Sequence, residues 1–285
     1  EFARDKTNVV KLFYALVNDP ARQVTCYHPG LGTMEPAGAL TDVARALTKL
    51  AGKAFGYGLP ADVRDAYVFL MNTFEAGDRV FLFGFSRGAY TVRGIASMLH
   101  MYGLIRAGNE PLAPYAIRML TAINRLPDRR AVQPGSAPGA GQSDPGGIFG
   151  LAREFSATFS STACKPWFVG VWDTVSSVGW VEHPLKMPFT ADNPDIEIGR
   201  HAISIDERRA FFRTNLWMPK GPPALSGPRD LKQVWFPGVH CDVGGGYSEA
   251  ESGLAKIALE WMLCEARSKG LLLDEERVAL VLGKR

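Results

Sequence analysis

The chain has 285 residues, 46% apolar and 21% charged, with 32 Lys+Arg against 29 Asp+Glu for a formal net charge of +3. This mix is that of a folded protein rather than a disordered one, and the length allows a core large enough to need neither metal nor disulfide. The charge is too slight, and the mixed-sign stretches 128–130 and 206–209 too short, for a nucleic-acid partner.

Helical and strand periods alternate along the chain. Apolar residues at Val9, Val10, Leu12, Phe13, Leu16 and Val17 predict a helix over 8–17, with Thr7 or Asn8 as N-cap. A short strand is expected at 23–27, ending at His28-Pro29-Gly30, then helices over 40–53 and 61–74. Residues 79–85 (Arg-Val-Phe-Leu-Phe-Gly-Phe) form a continuous apolar run, as in a parallel strand buried on both faces, and helical character returns over 88–99. Beyond it, 111–126 and 151–160 read as helices around a Pro/Gly-rich loop at 133–147, and the stretch 105–165 is expected to be an insertion, a lid or cap, within one domain spanning 1–285. Strands follow at 167–172 (Trp-Phe-Val-Gly-Val-Trp), more weakly at 201–205, and at 231–236, before an amphipathic helix over 252–269. Strands alternating with helices predict an α/β fold, a mainly parallel sheet covered on both faces.

The most informative segment is Val80-Phe81-Leu82-Phe83-Gly84-Phe85-Ser86-Arg87-Gly88-Ala89-Tyr90. It holds G-x-S-x-G with a buried strand before it and a helix after it, the setting a nucleophile elbow requires. Small residues at Gly84 and Gly88 are expected to relieve the tight turn, the helix dipole would favour a developing anion, and the Arg87 backbone N–H would serve as an oxyanion donor. A serine nucleophile needs a base, and the base an orienting acid, in the chain order Ser, acid, His.

Of five histidines, His240 has the position a base should have, after the last strand and before the last helix. His28 precedes the serine, His100 follows it too closely, and His183 and His201 lie in less clearly placed segments. For the acid, Asp173 directly follows the 167–172 strand; Asp206 is the alternative, after the weaker strand, and Asp242 would act only through a local bend. Asp173 also suits an Asx turn with Thr174 and Val175.

Gly244-Gly245-Gly246 permits unusual backbone angles that would return the His240 loop towards Ser86. It lacks the Lys-Ser/Thr of a phosphate-binding loop. His240, Asp242 and Asp173 form the rival metal set, but no H-E-x-x-H is present, so no metal and no cofactor are expected. The four cysteines, Cys26, Cys164, Cys241 and Cys264, contain no C-x-x-C pair and read as reduced thiols, a single disulfide being the alternative. Met98, Leu99, Met101, Tyr102, Leu104 and Ile105 suit either an acyl pocket or, at helical spacing, the core.

Three blocks carry a family resemblance: 83–90, Val169-Gly170-Val171-Trp172-Asp173-Thr174-Val175, and Trp235-Phe236-Pro237-Gly238-Val239-His240-Cys241-Asp242-Val243-Gly244-Gly245-Gly246-Tyr247. They resemble the signature blocks of the α/β-hydrolase family that includes the type VI secretion phospholipase effectors. Tyr27-His28-Pro29-Gly30-Leu31-Gly32-Thr33 is similar to its Tyr-x-x-Pro-Gly-x-Gly-Thr block. The resemblance runs from about Thr7 to Leu263. It implies an α/β-hydrolase fold and a Ser86, Asp173, His240 triad that hydrolyses esters, lipid esters above all, with phospholipase A activity among the outcomes.

Members of that family open on a strand ending in Asp-Gly-Thr. The sequence given opens at Glu1-Phe2-Ala3-Arg4-Asp5, so the first strand, with the second oxyanion N–H it would supply, is expected to be missing. The alternatives in substrate and role are a small-ester or polyester hydrolase and a binding or scaffold module whose chemistry has lapsed. By resemblance alone, the partners expected are a lipid or other ester, a membrane surface, and a secretion-apparatus or immunity protein. No run of 18 apolar residues and no basic-then-apolar leader occurs, so synthesis in the cytoplasm and export by a specialised secretion system are expected.

Overall fold

A computed structural model describes residues 6–29, 59–122, 147–175, 179–180, 183–184, 187–209, 212, 214–222 and 226–284. The helix expected over 40–53 and the loop over 133–146 lie outside the described residues. The frame is a four-stranded sheet, β1 (Val80–Phe85), β4 (Pro166–Trp172), β7 (Ile198–Ser204) and β8 (Asp230–Phe236), in that spatial order and parallel throughout. Two short antiparallel pairs stand apart from it. One joins β2 (Leu104–Ile105) to β3 (Ser160–Thr162), the other β5 (Gly179–Trp180) to β6 (His183–Pro184).

Alternation along β4 sends Val169 and Val171 to one face and Phe168 and Trp172 to the other, because successive strand side chains point to opposite sides. On the first face pack the helix of residues 59–73 (α2), α3 (Arg87–Tyr102), α4 (Ala113–Ala122) and α5 (Ile148–Phe159). On the second pack α1 (Asn8–Ala15) and α7 (Gly253–Ser268), with α8 (Glu275–Leu282) behind them; the short helix α6 (His240–Gly244) joins β8 to this layer. The expected mainly parallel sheet with helices on both faces is what forms.

The sequence reading is revised at two strands, and between them an open alternative is decided. Residues 24–29 make no strand. Among the described residues Gln23 bridges only to Asp19, and its side chain is used on Leu272, whose N–H it accepts at 3.0 Å and whose carbonyl it donates to at 3.0 Å. Met98, Leu99, Tyr102, Leu104 and Ile105 are core, with Met101 packed against it, at the far end of α3 from Ser86. The described parts of the 105–165 stretch pack there too, where Ser156 and Ser160 donate to the Tyr102 carbonyl. Finally, the strand that reads as weak is buried along its whole length. Arg200 and His201 interrupt its apolar pattern, yet both are satisfied inside: the Arg200 guanidinium reaches Glu265 at 2.6 Å and Asp230 at 2.9 Å. All four cysteines are free.

Hydrogen bonds from His100 and Lys165 hold the Asp195 carboxyl at about 2, and those from Arg200 and Lys269 do the same for Asp230. A carboxylate depressed by folding adds stability above its unfolded value of about 4 and loses it as pH falls through the folded value. Thermal unfolding is therefore expected to show Tm dropping between about pH 4 and about pH 2. A Tm flat across that window would contradict these pairs.

Candidate active site

The register aligns four strand ends. Phe85 pairs with Trp172, Trp172 with Ala202, and Ser204 with Phe236, and the ladder continues one step further. The Ser86 N–H reaches the Trp172 carbonyl at 3.1 Å, and the Asp173 N–H reaches that of Ala202 at 2.8 Å. Ser86, Asp173 and the loop leading to His240 therefore emerge on one edge of the sheet.

Ser86 sits between β1 and α3 at φ +59°, a left-handed conformation that a non-glycine residue adopts only where its surroundings impose it. The imposed turn is visible at Gly84. A Cβ there would meet the Gly88 carbonyl carbon at 2.5 Å and the Ala89 nitrogen at 2.7 Å. Gly88 differs: nothing lies within 4 Å of where its Cβ would be, so no clash requires a glycine there. Arg87 is the first residue of α3, which directs the positive end of the helix dipole at the serine. The Ser86 carbonyl accepts from Tyr90 and Val175, which ties the turn to the segment after Asp173.

Asp173 is 1% exposed and also left-handed, at φ +37°. Its Oδ2 lies 2.6 Å from His240 Nδ1, and the imidazole is itself buried. Two aromatic rings pack against it, that of Phe85 tilted at 4.5 Å and that of Phe212 edge-on at 4.7 Å. Phe85 directly precedes Ser86, so this contact ties the His240 ring to the strand that carries the serine. The Arg209 guanidinium covers Phe212 at 3.9 Å and pairs with Glu207, whose carboxylate it holds at about 2. Glu207 in turn accepts the His240 backbone N–H at 3.3 Å.

Asp206, the alternative acid, is used elsewhere. It accepts the Gly238 N–H at 2.8 Å and so braces the loop ahead of His240. Asp242 accepts the Val239 N–H at 2.9 Å within its own turn. His100 makes a second close pair, 2.6 Å from Asp195, but beside Lys165 at the opposite end of α3. His28 lies 3.8 Å from Asp62 and 3.7 Å from Asp65, and His183 stands on β6.

His201 is fully buried. Its Nε2 accepts the Thr174 N–H at 3.2 Å, and burial beside Arg93 keeps the ring well below the usual histidine range, hence neutral. Among the described residues no three His, Cys, Asp or Glu side chains are grouped to hold a metal. Sequence reasoning passed over Ser204, Glu207 and Phe212; a polar residue at the end of the strand between those of Asp173 and His240 was the available signal for Ser204.

Comparison with known proteins gives three findings. A protein of Saccharomyces cerevisiae (strain ATCC 204508 / S288c), named uncharacterized protein YEL023C, is 34% identical over 220 residues, 75% of this chain and 30% of that one. A crystal structure of an uncharacterized protein from Pseudomonas aeruginosa is similar over 70% of this chain and 25% of its own, at 22% identity and a TM-score of 0.37. The chain thus spans about a third or less of the length of these relatives. Residues 1–265 match the family described as T6SS, phospholipase effector Tle1-like, catalytic domain. The chain belongs to this Tle1-like catalytic-domain family of type VI secretion phospholipase effectors.

Proposed function

We propose that the chain is a serine hydrolase of the α/β-hydrolase class that cleaves lipid acyl esters, with Ser86 as nucleophile, His240 as general base and Asp173 as its orienting acid. The observation that carries this is the 2.6 Å contact between His240 Nδ1 and Asp173 Oδ2, at the strand ends beside a left-handed Ser86. Asp173 accepts from Nδ1–H and leaves the lone pair of Nε2 to take the serine proton. The alkoxide attacks the acyl carbonyl, and the first N–H groups of α3, that of Arg87 among them, face the oxyanion. His240 then gives the proton to the departing alcohol. Water, deprotonated by the same imidazole, attacks the acyl-serine and releases the carboxylic acid and free Ser86.

Membership of a phospholipase effector family supports a lipid substrate. A membrane surface, a secretion apparatus and an immunity protein as partners belong to the same proposal. Labelling with a fluorophosphonate tests the mechanism, and turnover of phospholipid vesicles against short soluble esters tests the substrate. Label taken by the wild type and lost in Ser86→Ala, with vesicles the better substrate, is the expected result. Faster turnover of soluble esters would point to a small-ester or polyester hydrolase. An unlabelled wild type would leave a binding module on this fold.

A further inference from the structure

Histidine is only one of the groups that hold Asp173. The backbone N–H of Ser204 donates to Oδ1 at 3.0 Å, and the Ser204 hydroxyl donates to Oδ2 at 2.7 Å, the same oxygen that His240 Nδ1 approaches at 2.6 Å. An ionised carboxylate only accepts, so the hydroxyl must be the donor. One residue thus grips both oxygens and fixes the carboxylate plane. The strand order explains why it can: Ser204 ends β7, which lies between β4, ahead of Asp173, and β8, ahead of His240.

We propose that Ser204 is a positioning residue that sets how strongly Asp173 supports a protonated His240; this rests on the reading of His240 as the base. A hydroxyl donating to Oδ2 draws charge from the oxygen that must stabilise the imidazolium. Without it, Oδ2 is more basic towards Nδ1–H and the imidazole holds its proton to higher pH. Among the described residues, the other charged and titratable groups around the pair are Glu207 and Arg209 beyond β7, Cys241, Asp242 and Tyr247 on and after α6, and Arg87 at the start of α3. His201, on β7 itself, meets the Thr174 N–H. All of these are unchanged by truncating Ser204.

The test is a pH titration of the His240 ring in the full chain by NMR of labelled histidine, its signal assigned by its loss in His240→Gln. The rate of fluorophosphonate labelling is followed over the same pH range. In Ser204→Ala the ring midpoint, and the acid limb of labelling with it, are expected to move up by about one pH unit. Ser204→Thr, which keeps the hydroxyl, is expected to titrate as the wild type. Ser204→Cys, a weaker donor of similar shape, moves the same way as Ala and serves if Ala does not fold. A midpoint unchanged in both Ala and Cys overturns the proposal. A midpoint that moves in a protein whose Ser86 takes no label would end the hydrolase reading and leave the hold of Ser204 on His240 standing.

Discussion

Asp173→Asn is expected to lower ester turnover by about 10⁴-fold while leaving the chain folded. Ser204 decides which way the new amide must face. Its backbone N–H lies 3.0 Å from Oδ1 and can meet only an oxygen there, so the Asn NH₂ is forced into the Oδ2 position. At that position sit the Ser204 hydroxyl and His240 Nδ1, both able to accept. The hydroxyl turns around, and the imidazole moves its proton to Nε2. The ring then offers a proton to Ser86 instead of taking one. The amide keeps hydrogen bonds to Ser204 and His240 while the Ser204 hydroxyl proton loses its acceptor, so stability should fall by about 1 kcal/mol. The measurement is kcat/KM together with Tm. Turnover unchanged from wild type would put the Asp173–His240 contact in the same class as His100–Asp195, a close pair that only builds the fold.

The parts of this site that could be read from sequence were those where a residue's place follows from one element. The β1 run into Gly84-Phe85-Ser86 marked the strand and turn, and the β4 run into Asp173 marked an acid at a strand end. What could not be read were the relations between elements. Asp173 and Asp206 each follow a strand, and locally only the stronger apolar run ahead of Asp173 favours it. Where each carboxylate goes depends on sheet order: β8 lies beside β7, and its exit loop takes the Asp206 carboxylate through the Gly238 N–H.

Strand β7 looked weak for the same reason. Arg200 finds Glu265 on α7 and Asp230 on β8, partners 65 and 30 residues away. Local hydropathy counts such a residue as exposed when tertiary pairing has buried it. The reverse holds at 23–27, where a strand-like pattern has no neighbouring strand among the described residues. Helix α8 was missed although its start signal is plain. Asp274 caps it by accepting the Arg277 N–H, ahead of Glu275 and Glu276.

Gly84→Ala is expected to destabilise the fold by about 3 kcal/mol and to remove activity with it. The added methyl would lie 2.5 Å from the Gly88 carbonyl carbon and 2.7 Å from the Ala89 nitrogen. Both are backbone atoms in the first turn of α3, and no rotamer change moves them. Either β1 or α3 must shift, and Ser86 is the residue between the two. Gly244→Ala is the informative contrast, since its methyl would fall inside the Phe85 ring, a side chain that can swing away. That ring lies against His240, so the imidazole should be displaced with less loss of stability than at Gly84. Gly88→Ala, with open space and a helical backbone, should fold as well as wild type or gain up to about 1 kcal/mol. Thermal melts and fluorophosphonate labelling of the three variants separate the effects. If Gly84→Ala melts with the wild type and takes label, the tight turn is not what holds Ser86 in place. If Gly88→Ala instead is the variant that fails, the second glycine keeps the space above the helix open for what binds there.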